Sequence, residues 1–329
     1  MKITERGYWV SKCYTWISLV HWFCYSIYFR TLTYFSAANP QIYLGGMLDD
    51  RKSDIYDQVP QQYVPVTRLF VPKDTSIIAE ILQEFSFPMM AKPNVGFRGY
   101  LVRRIDNELE LSEVIKQYIG KELLIQEFLA QEHEYSVMYY WVDAYDHGIS
   151  SLVEKHLPKV IGDGKRTVSS LIEALDNPFL NHEWVTKKNK QHLDRILDDG
   201  EALLIDHVGN FARGSKFENL NGKIDATLTT SMRTFFTHVP GMNFCRLDVK
   251  AASLNELKKG NFKLLEINGA KSEPLHIYDP RMSMWDVFRA IRTHWKTLFR
   301  IVRRNIAAVE IPSSMEGIRS YYELKKLVS

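Results

Sequence analysis

Residues 244–268, FCRLDVKAASLNELKKGNFKLLEIN, constrain the chain most. Two short apolar runs, 244–250 and 262–268, predict strands joined by a polar loop containing Gly260. Side chains alternate faces along a strand. Arg246, Asp248 and Lys250 therefore share one face, with Leu247 and Val249 on the other. Glu266 and Asn268 likewise share a face, opposite Leu265 and Ile267. If the strands pair, Asp248, Glu266 and Asn268 converge as two carboxylates and an amide oxygen. Mg2+ suits such a set, because it takes one or two carboxylates and completes its shell with water and phosphate oxygens. Arg246, one strand period from Asp248, can then answer negative charge beside the metal. Read alone, the same pattern also describes an amphipathic hairpin with a solvated polar face.

The chain has 329 residues, enough for two or three lobes and a large core. Its charge is +3 overall but uneven: residues 281–305 hold seven basic residues against Asp286 alone, leaving the remainder net negative. That balance does not describe a nucleic-acid binder. Cys13, Cys24 and Cys245 are far apart and form no zinc pattern, which suits a reducing, cytoplasmic setting.

Residues 13–29 lack any Asp, Glu, Lys or Arg. They reach the lower edge of a membrane span only by counting His21, two serines and three tyrosines. A helix packed on the body or a partner, an interfacial helix and a span all remain open. Residues 39–67 read as loops with one short helix near 53–58. The run 75–86 predicts a helix capped by Thr75. FPMMAKPNVGFRGYLVRRI (87–105) then predicts strand, glycine loop and strand, with Lys92 ending the first strand. Such a unit suits a triphosphate lid, since glycines let backbone N–H groups approach phosphate oxygens; an ordinary hairpin turn fits as well. Residues 108–119 predict a helix capped by Ser112, and 122–129 and 134–142 predict strands. Glu134 can accept from two ribose hydroxyls, or be a charge at a strand edge. The stretch 149–160 predicts a strand, followed by a helix from Val168 capped by Thr167. Helix is expected over 187–198 and near 230–237, and strand over 202–208. Ser283 and Asp286 form an S-x-x-D capping box. The helix after it places Trp285, Phe288, Ile291, Trp295, Leu298 and Val302 on one stripe, with Arg289, Arg292, Lys296, Arg300 and Arg303 off it. The stripe serves either as a seam against the body or as a face on an anionic membrane.

Four blocks in this order resemble the ATP-grasp enzymes, the carboxylate–amine ligases in particular, over about two-thirds of the chain, from Thr67 to Pro280. FPMMAKPNVGFRG resembles the strand–lysine–glycine-loop unit, and LLIQEFLAQEHEYSV the hinge followed by the ribose carboxylate. KVIGDGKRTVSSLI resembles a stretch of cyanophycin-synthetase-like members. RLDV…LLEIN resembles the metal and phosphate strands of D-alanine–D-alanine ligase. The resemblance implies an α+β, ATP-grasp fold in which two α/β lobes, 67–148 and 149–280, sandwich ATP. Segment 1–66 and the basic helical segment 281–329 are then extensions. It also implies that Lys92 contacts the α and β phosphates under a lid spanning Asn94, Gly96, Arg98 and Gly99. Gln126, Glu127, Phe128 and Leu129 would hold adenine, and Glu134 the ribose, with Glu132 as competitor. Asp248, Glu266 and Asn268 would bind two Mg2+ ions, or Mn2+. Arg246 would steady the γ-phosphate or the tetrahedral intermediate, and Asn210 and Arg213 would line the acceptor side.

The sequence departs from that pattern in three places. The second ATP lysine lies upstream in the family, where Lys52 is the nearest candidate but is poorly spaced. The proline that often follows the E-x-N strand is replaced by Gly269-Ala270-Lys271. Residues 1–66 are too short and too aromatic for the α/β domain that usually precedes the ATP lobes. The expected activity is ADP-forming ligation of a small-molecule carboxylate to an amine through an acyl phosphate. Phosphotransfer, and a membrane-associated nucleotide-binding role, are the alternatives. No nucleic-acid partner is expected; a homodimer, and peripheral membrane contact through residues 9–35 or 284–304, are left open.

Overall fold

The computed structural model describes residues 3–48, 51–95, 101–175 and 180–328. In chain order the helices are α1 (Ile3–Phe29), α2 (Lys52–Tyr56), α3 (Ile77–Glu84), α4 (Glu108–Gln117), α5 (Val168–Glu173), α6 (His182–Lys188), α7 (Ala226–Thr237), α8 (Leu254–Lys258), α9 (Met284–Asn305) and α10 (Ser314–Val328). The strands are β1 (Thr67–Phe70), β2 (Met89–Pro93), β3 (Arg103–Ile105), β4 (Leu123–Glu127), β5 (His133–Trp141), β6 (His147–His156), β7 (Lys159–Ile161), β8 (Ala202–Leu204), β9 (Lys216–Asn219), β10 (Phe244–Ala251) and β11 (Lys263–Asn268).

Two antiparallel sheets organise the chain, in the α+β class expected. The first runs β1-β4-β2-β3, and α3 and α4 bury Ile78, Ile81, Leu111 and Ile115 against one of its faces. The second runs β11-β10-β5-β6-β9. Tyr135, Val137, Leu247 and Val249 alternate onto the face that α7 covers with Leu228, Met232 and Phe235. The hairpin β7–β8 forms a small separate core with α5 and α6.

The lobe boundary falls earlier than residue 148. Strand β5 pairs with β10 along its whole length, from Tyr140↔Phe244 to His133↔Ala251, so the chain crosses to the second sheet at about residue 130. Nor is segment 1–66 a separate unit. Ile42, Ile55, Tyr56, Val59 and Tyr63 enter the core of the second sheet, while Val10 and Tyr14 of α1 pack with Ile291, Leu298 and Val302 of α9.

The predicted caps divide. Thr167 caps α5 by accepting from the Ser170 N–H, and Ser283 caps α9 by accepting from Asp286. Ser112 does not cap α4, because Asn107 starts that helix a turn earlier and accepts from the Glu110 N–H at 3.0 Å. Helix α3 starts at Ile77 with no side-chain cap. The helix expected over 187–198 lies instead at 182–188, and the strand expected over 202–208 stops at Leu204. Trp285 and Phe288 leave the buried stripe of α9, which consists of Val287, Ile291, His294, Trp295, Thr297, Leu298, Ile301 and Val302. Val287 takes the buried side of that first turn, and Trp285 and Phe288 stack on each other on its exposed side.

Candidate active site

A cleft of about 710 Å3 lies between the two sheets. Its floor is the opening hairpin. Strands β10 and β11 pair antiparallel, with Arg246 opposite Asn268 and Asp248 opposite Glu266. The connection holds a short helix, α8, rather than loop alone. All four polar side chains line the cleft.

Asp248 is the best-held of them. It is buried, and its carboxylate accepts from Ser136 Oγ at 2.8 Å and from Arg246 Nε and Nη2 at 3.3 Å each. Lys155 Nζ lies 3.1 Å from its other oxygen. Burial alone would raise this carboxyl, but Arg246 and Lys155 outweigh burial and hold it at about 2. Lys155, on β6, also donates to Glu134 at 2.9 Å, so one buried ammonium joins two buried carboxylates across three strands. Burial lowers the affinity of Lys155 for its proton; Asp248 and Glu134 more than restore it. Lys155 was missed in the sequence. The available signal was a lysine sharing strand phase with buried Val153.

Glu134 rather than Glu132 faces the cleft, because β5 has begun by Glu134, whereas Glu132 is exposed before it. Gly209 makes room for it: a Cβ there would fall 2.3 Å from Glu134 Oε1.

Lys92 on β2 is buried in the cleft and donates to Gln126 Oε1, while Gln126 Nε2 donates to Thr67. Burial pushes Lys92 down to about 8. Lys52 reaches the same cleft despite its poor sequence spacing. Tyr56, one turn on, donates to the Leu265 carbonyl at 2.6 Å and seats α2 on β11, which brings Lys52 Nζ to 3.5 Å from Glu266.

Asn94 does not line the cleft. It is fully buried outside the cleft lining: its carbonyl accepts from the Lys52 N–H, and its side chain binds Ser53 and Glu122. It thus anchors α2 and with it Lys52. Gly96, Arg98 and Gly99 of the expected lid lie outside the described residues.

Glu127, Phe128 and Leu129 line the opposite end. The Glu127 N–H is used by Val66, and the Leu129 carbonyl accepts from Lys250 at 2.9 Å. Phe128 has Arg104 over its ring at 4.6 Å and His207 edge-on at 6.3 Å. This end presents the Phe128 ring, with Arg104 and Lys250 over it, beside the backbone of 127–129.

Asn210 lines the cleft, but Arg213 does not. Its guanidinium forks Asp206 at 2.6 and 2.9 Å and stacks on Trp184 at 4.5 Å, because fully buried Asp206 needs cations and Arg213 and Lys188 supply them.

The loop after Asn268 closes the far end. Gly269 stands where a Cβ would meet the Gly45 carbonyl at 2.5 Å, and residues 45 and 46 accept from the Ala270 and Lys271 N–H groups. This close backbone approach accounts for Gly269 at the position of the missing proline. Lys271, Glu273 and Tyr278 line this end, and Tyr278 donates to Glu273. Ser11 of α1 also reaches the cleft, and Tyr14 donates to the Ser272 carbonyl at 3.3 Å. The aromatic N-terminal helix therefore walls the cleft.

The donor set of Asp248, Glu266 and Asn268 is oxygen only and fits a hard divalent cation. Glu266 and Asn268 are the more open ligands; Asp248 can serve only by yielding a bond to Arg246 or Lys155.

No family model matches the sequence, and neither does any curated protein. Among solved structures, the chain is similar to D-alanine–D-alanine ligase from Helicobacter pylori (17% identity, 79% of this chain and 61% of that one, TM-score 0.43). It is also similar to VanG D-Ala:D-Ser ligase from Enterococcus faecalis (13%, 77% and 62%, 0.43) and to a bifunctional glutathione synthetase from Pasteurella multocida (14%, 75% and 35%, 0.39). The chain thus spans between about a third and two-thirds of their lengths. The likeness concerns fold alone, and at these TM-scores the chemistry rests on this chain's own residues.

Proposed function

We infer that the chain is an ATP- and Mg2+-dependent carboxylate–amine ligase that releases ADP. The observation that supports this reading most is the convergence, in one cleft, of buried Lys92 and Lys52 with the Arg246–Asp248 and Glu266–Asn268 pairs. Phosphoryl transfer needs positioning and charge neutralisation above all, and this set supplies both. Phe128 and the backbone at 127–129 form the adenine end, and Glu134 the ribose contact. Lys92 and Lys52 hold phosphate oxygens as point charges. Asp248, Glu266 and Asn268 hold the divalent cation, which when bound neutralises the β and γ phosphates. Arg246, fixed by Asp248, donates to the transferring phosphoryl group and then to the oxyanion formed as the amine attacks the acyl phosphate. The end lined by Lys271, Glu273, Tyr278 and Ser11 receives the acid and amine.

The test is ADP release and product mass, screened over amino acids, dipeptides and other small acids with amine partners. An amide product with acid-dependent ADP release is expected. A stable phosphorylated product would assign phosphotransfer instead. Asp248→Asn and Glu266→Gln should each abolish turnover while leaving the far-ultraviolet circular dichroism unchanged, and full turnover in both would remove the metal assignment.

A further inference from the structure

We propose that the outer face of α1, together with the adjoining basic row of α9, is a docking surface for an anionic lipid membrane. From Cys13 to Phe29 helix α1 carries no charged side chain and gathers its polar residues on no one side, whereas a helix at the surface of a soluble body ordinarily keeps one polar side. Its inner side is accounted for. Helices α1 and α9 run parallel: Tyr14 meets His294, Trp295 donates to Ser18 at 2.9 Å, and Tyr25 meets Phe299 at 4.8 Å. The outer side is not. Tyr8, Trp9, Trp16, Val20, Phe23 and Ile27 recur at helical spacing, each between 52% and 67% exposed. Contiguous apolar surface of this kind marks an interaction site rather than chance exposure.

Charge selects the occupant. Arg292, Lys296 and Arg303 lie on the row of α9 that also carries Phe299, next to α1, and all three are exposed. None makes an ion pair with a described residue, whereas Arg300 and Arg304, a quarter turn further round, are paired with Asp146 and Asp143. An apolar, Trp- and Tyr-rich strip edged by unpaired cations complements a surface of acyl chains under anionic headgroups. A two-fold pairing of two such faces would instead bring like rows of charge together. The helix lies in the interface and does not cross it: among the described residues, no helix is long and apolar enough to span a membrane.

The experiment is vesicle flotation of the full chain. Phosphatidylcholine vesicles containing phosphatidylglycerol are compared with vesicles of phosphatidylcholine alone. The chain is expected to float with the former only. Each Lys or Arg near such a surface contributes on the order of 1 kcal/mol, so R292Q/K296Q/R303Q should lower the partition coefficient on the order of 100-fold. W16S/F23S should abolish flotation. Both variants should keep wild-type ADP release, because neither touches the cleft. Absence of wild-type flotation, or flotation unchanged in the charge variant, overturns the proposal. So does a dimer seen by light scattering that W16S/F23S dissociates in a chain that never floats, which would assign the face to a second copy. If W16S/F23S does not fold, the charge variant decides the question.

Discussion

Replacing Lys155 by Met tests the electrostatic frame of the cleft. The ammonium lies 2.9 Å from Glu134 and 3.1 Å from Asp248, and all three side chains are more than nine-tenths buried. At an effective dielectric of ~20, each pair near 3 Å is worth about 5 kcal/mol, and burying the ammonium costs several kcal/mol against that. Removing one member of a buried pair typically costs about 3–5 kcal/mol, because the remaining charge stays buried. A loss of about 3 kcal/mol is expected here, since Arg246 still serves Asp248. Urea unfolding at pH 7, in chelator and without nucleotide, measures it. The sign with pH follows from Asp248. Its folded value of about 2 lies below the ~3.9 of an unfolded chain, so its contribution is present above that value and lost as pH falls through about 2. The variant's Asp248 titrates higher, so the gap between the two chains should narrow as pH falls from about 5 toward 2. A difference below about 1 kcal/mol at pH 7, or one that stays flat over that range, would refute the reasoning.

Three further outcomes follow from single contacts. Asn94→Ala leaves the Ser53 N–H without its acceptor and loosens α2. Stability should fall by about 1–3 kcal/mol, and the KM for ATP should rise more than kcat falls, a split that steady-state kinetics reads. Gly209→Ala drives a Cβ into a carboxylate that Lys155 holds in place; chemical denaturation should show a loss of about 1–3 kcal/mol, with weaker nucleotide binding by calorimetry. Lys92, lowered to about 8 by burial, regains its proton when phosphate approaches. Nucleotide affinity should therefore hold below pH 8 and decline above it, with proton uptake near pH 8 detected by titration in buffers of different ionisation enthalpy.

The hairpin was legible because strand period two fixes which side chains share a face, and Arg246, Asp248, Glu266 and Asn268 needed nothing more than pairing to meet. Lys92 and Glu134 were legible from their places at a strand end and a strand start, beside the glycine loop and the hinge. Lys155, Lys52 and Asn94 were misread or missed because their roles depend on which element lies across from them. No period in β6 states that its lysine faces both β5 and β10. Arg213 shows the converse: the family resemblance put it with Asn210 on the acceptor side, whereas its guanidinium forks buried Asp206. On α9, helical spacing grouped Trp285 and Phe288 with the seam, yet Val287 takes the buried side of that turn and the two rings face outward. Helix α1 could not be placed from its composition, because an apolar run does not say which of its sides meets protein.

Among the described residues, charge in the cleft is nearly balanced, with six Lys or Arg and five acidic side chains lining it. Lys52 sits against Glu266, and Arg246 and Lys155 against Asp248. A triphosphate draws more fully on Lys52 and Arg246 when another cation takes up the charge of their carboxylates. A divalent cation, in turn, binds those carboxylates more tightly when the basic groups turn toward another anion. Each ligand therefore relieves the other's cost, and the coupling must be equal in both directions. Lys52→Met separates this exchange from simple loss of a contact. Glu266 would lose its competing ammonium, so calorimetric titration should show tighter Mg2+ or Mn2+ binding without nucleotide. Binding of ADP in the presence of metal should weaken in the same variant. If both affinities fell together, Lys52 would be supporting the fold of the site rather than trading places with the metal at Glu266.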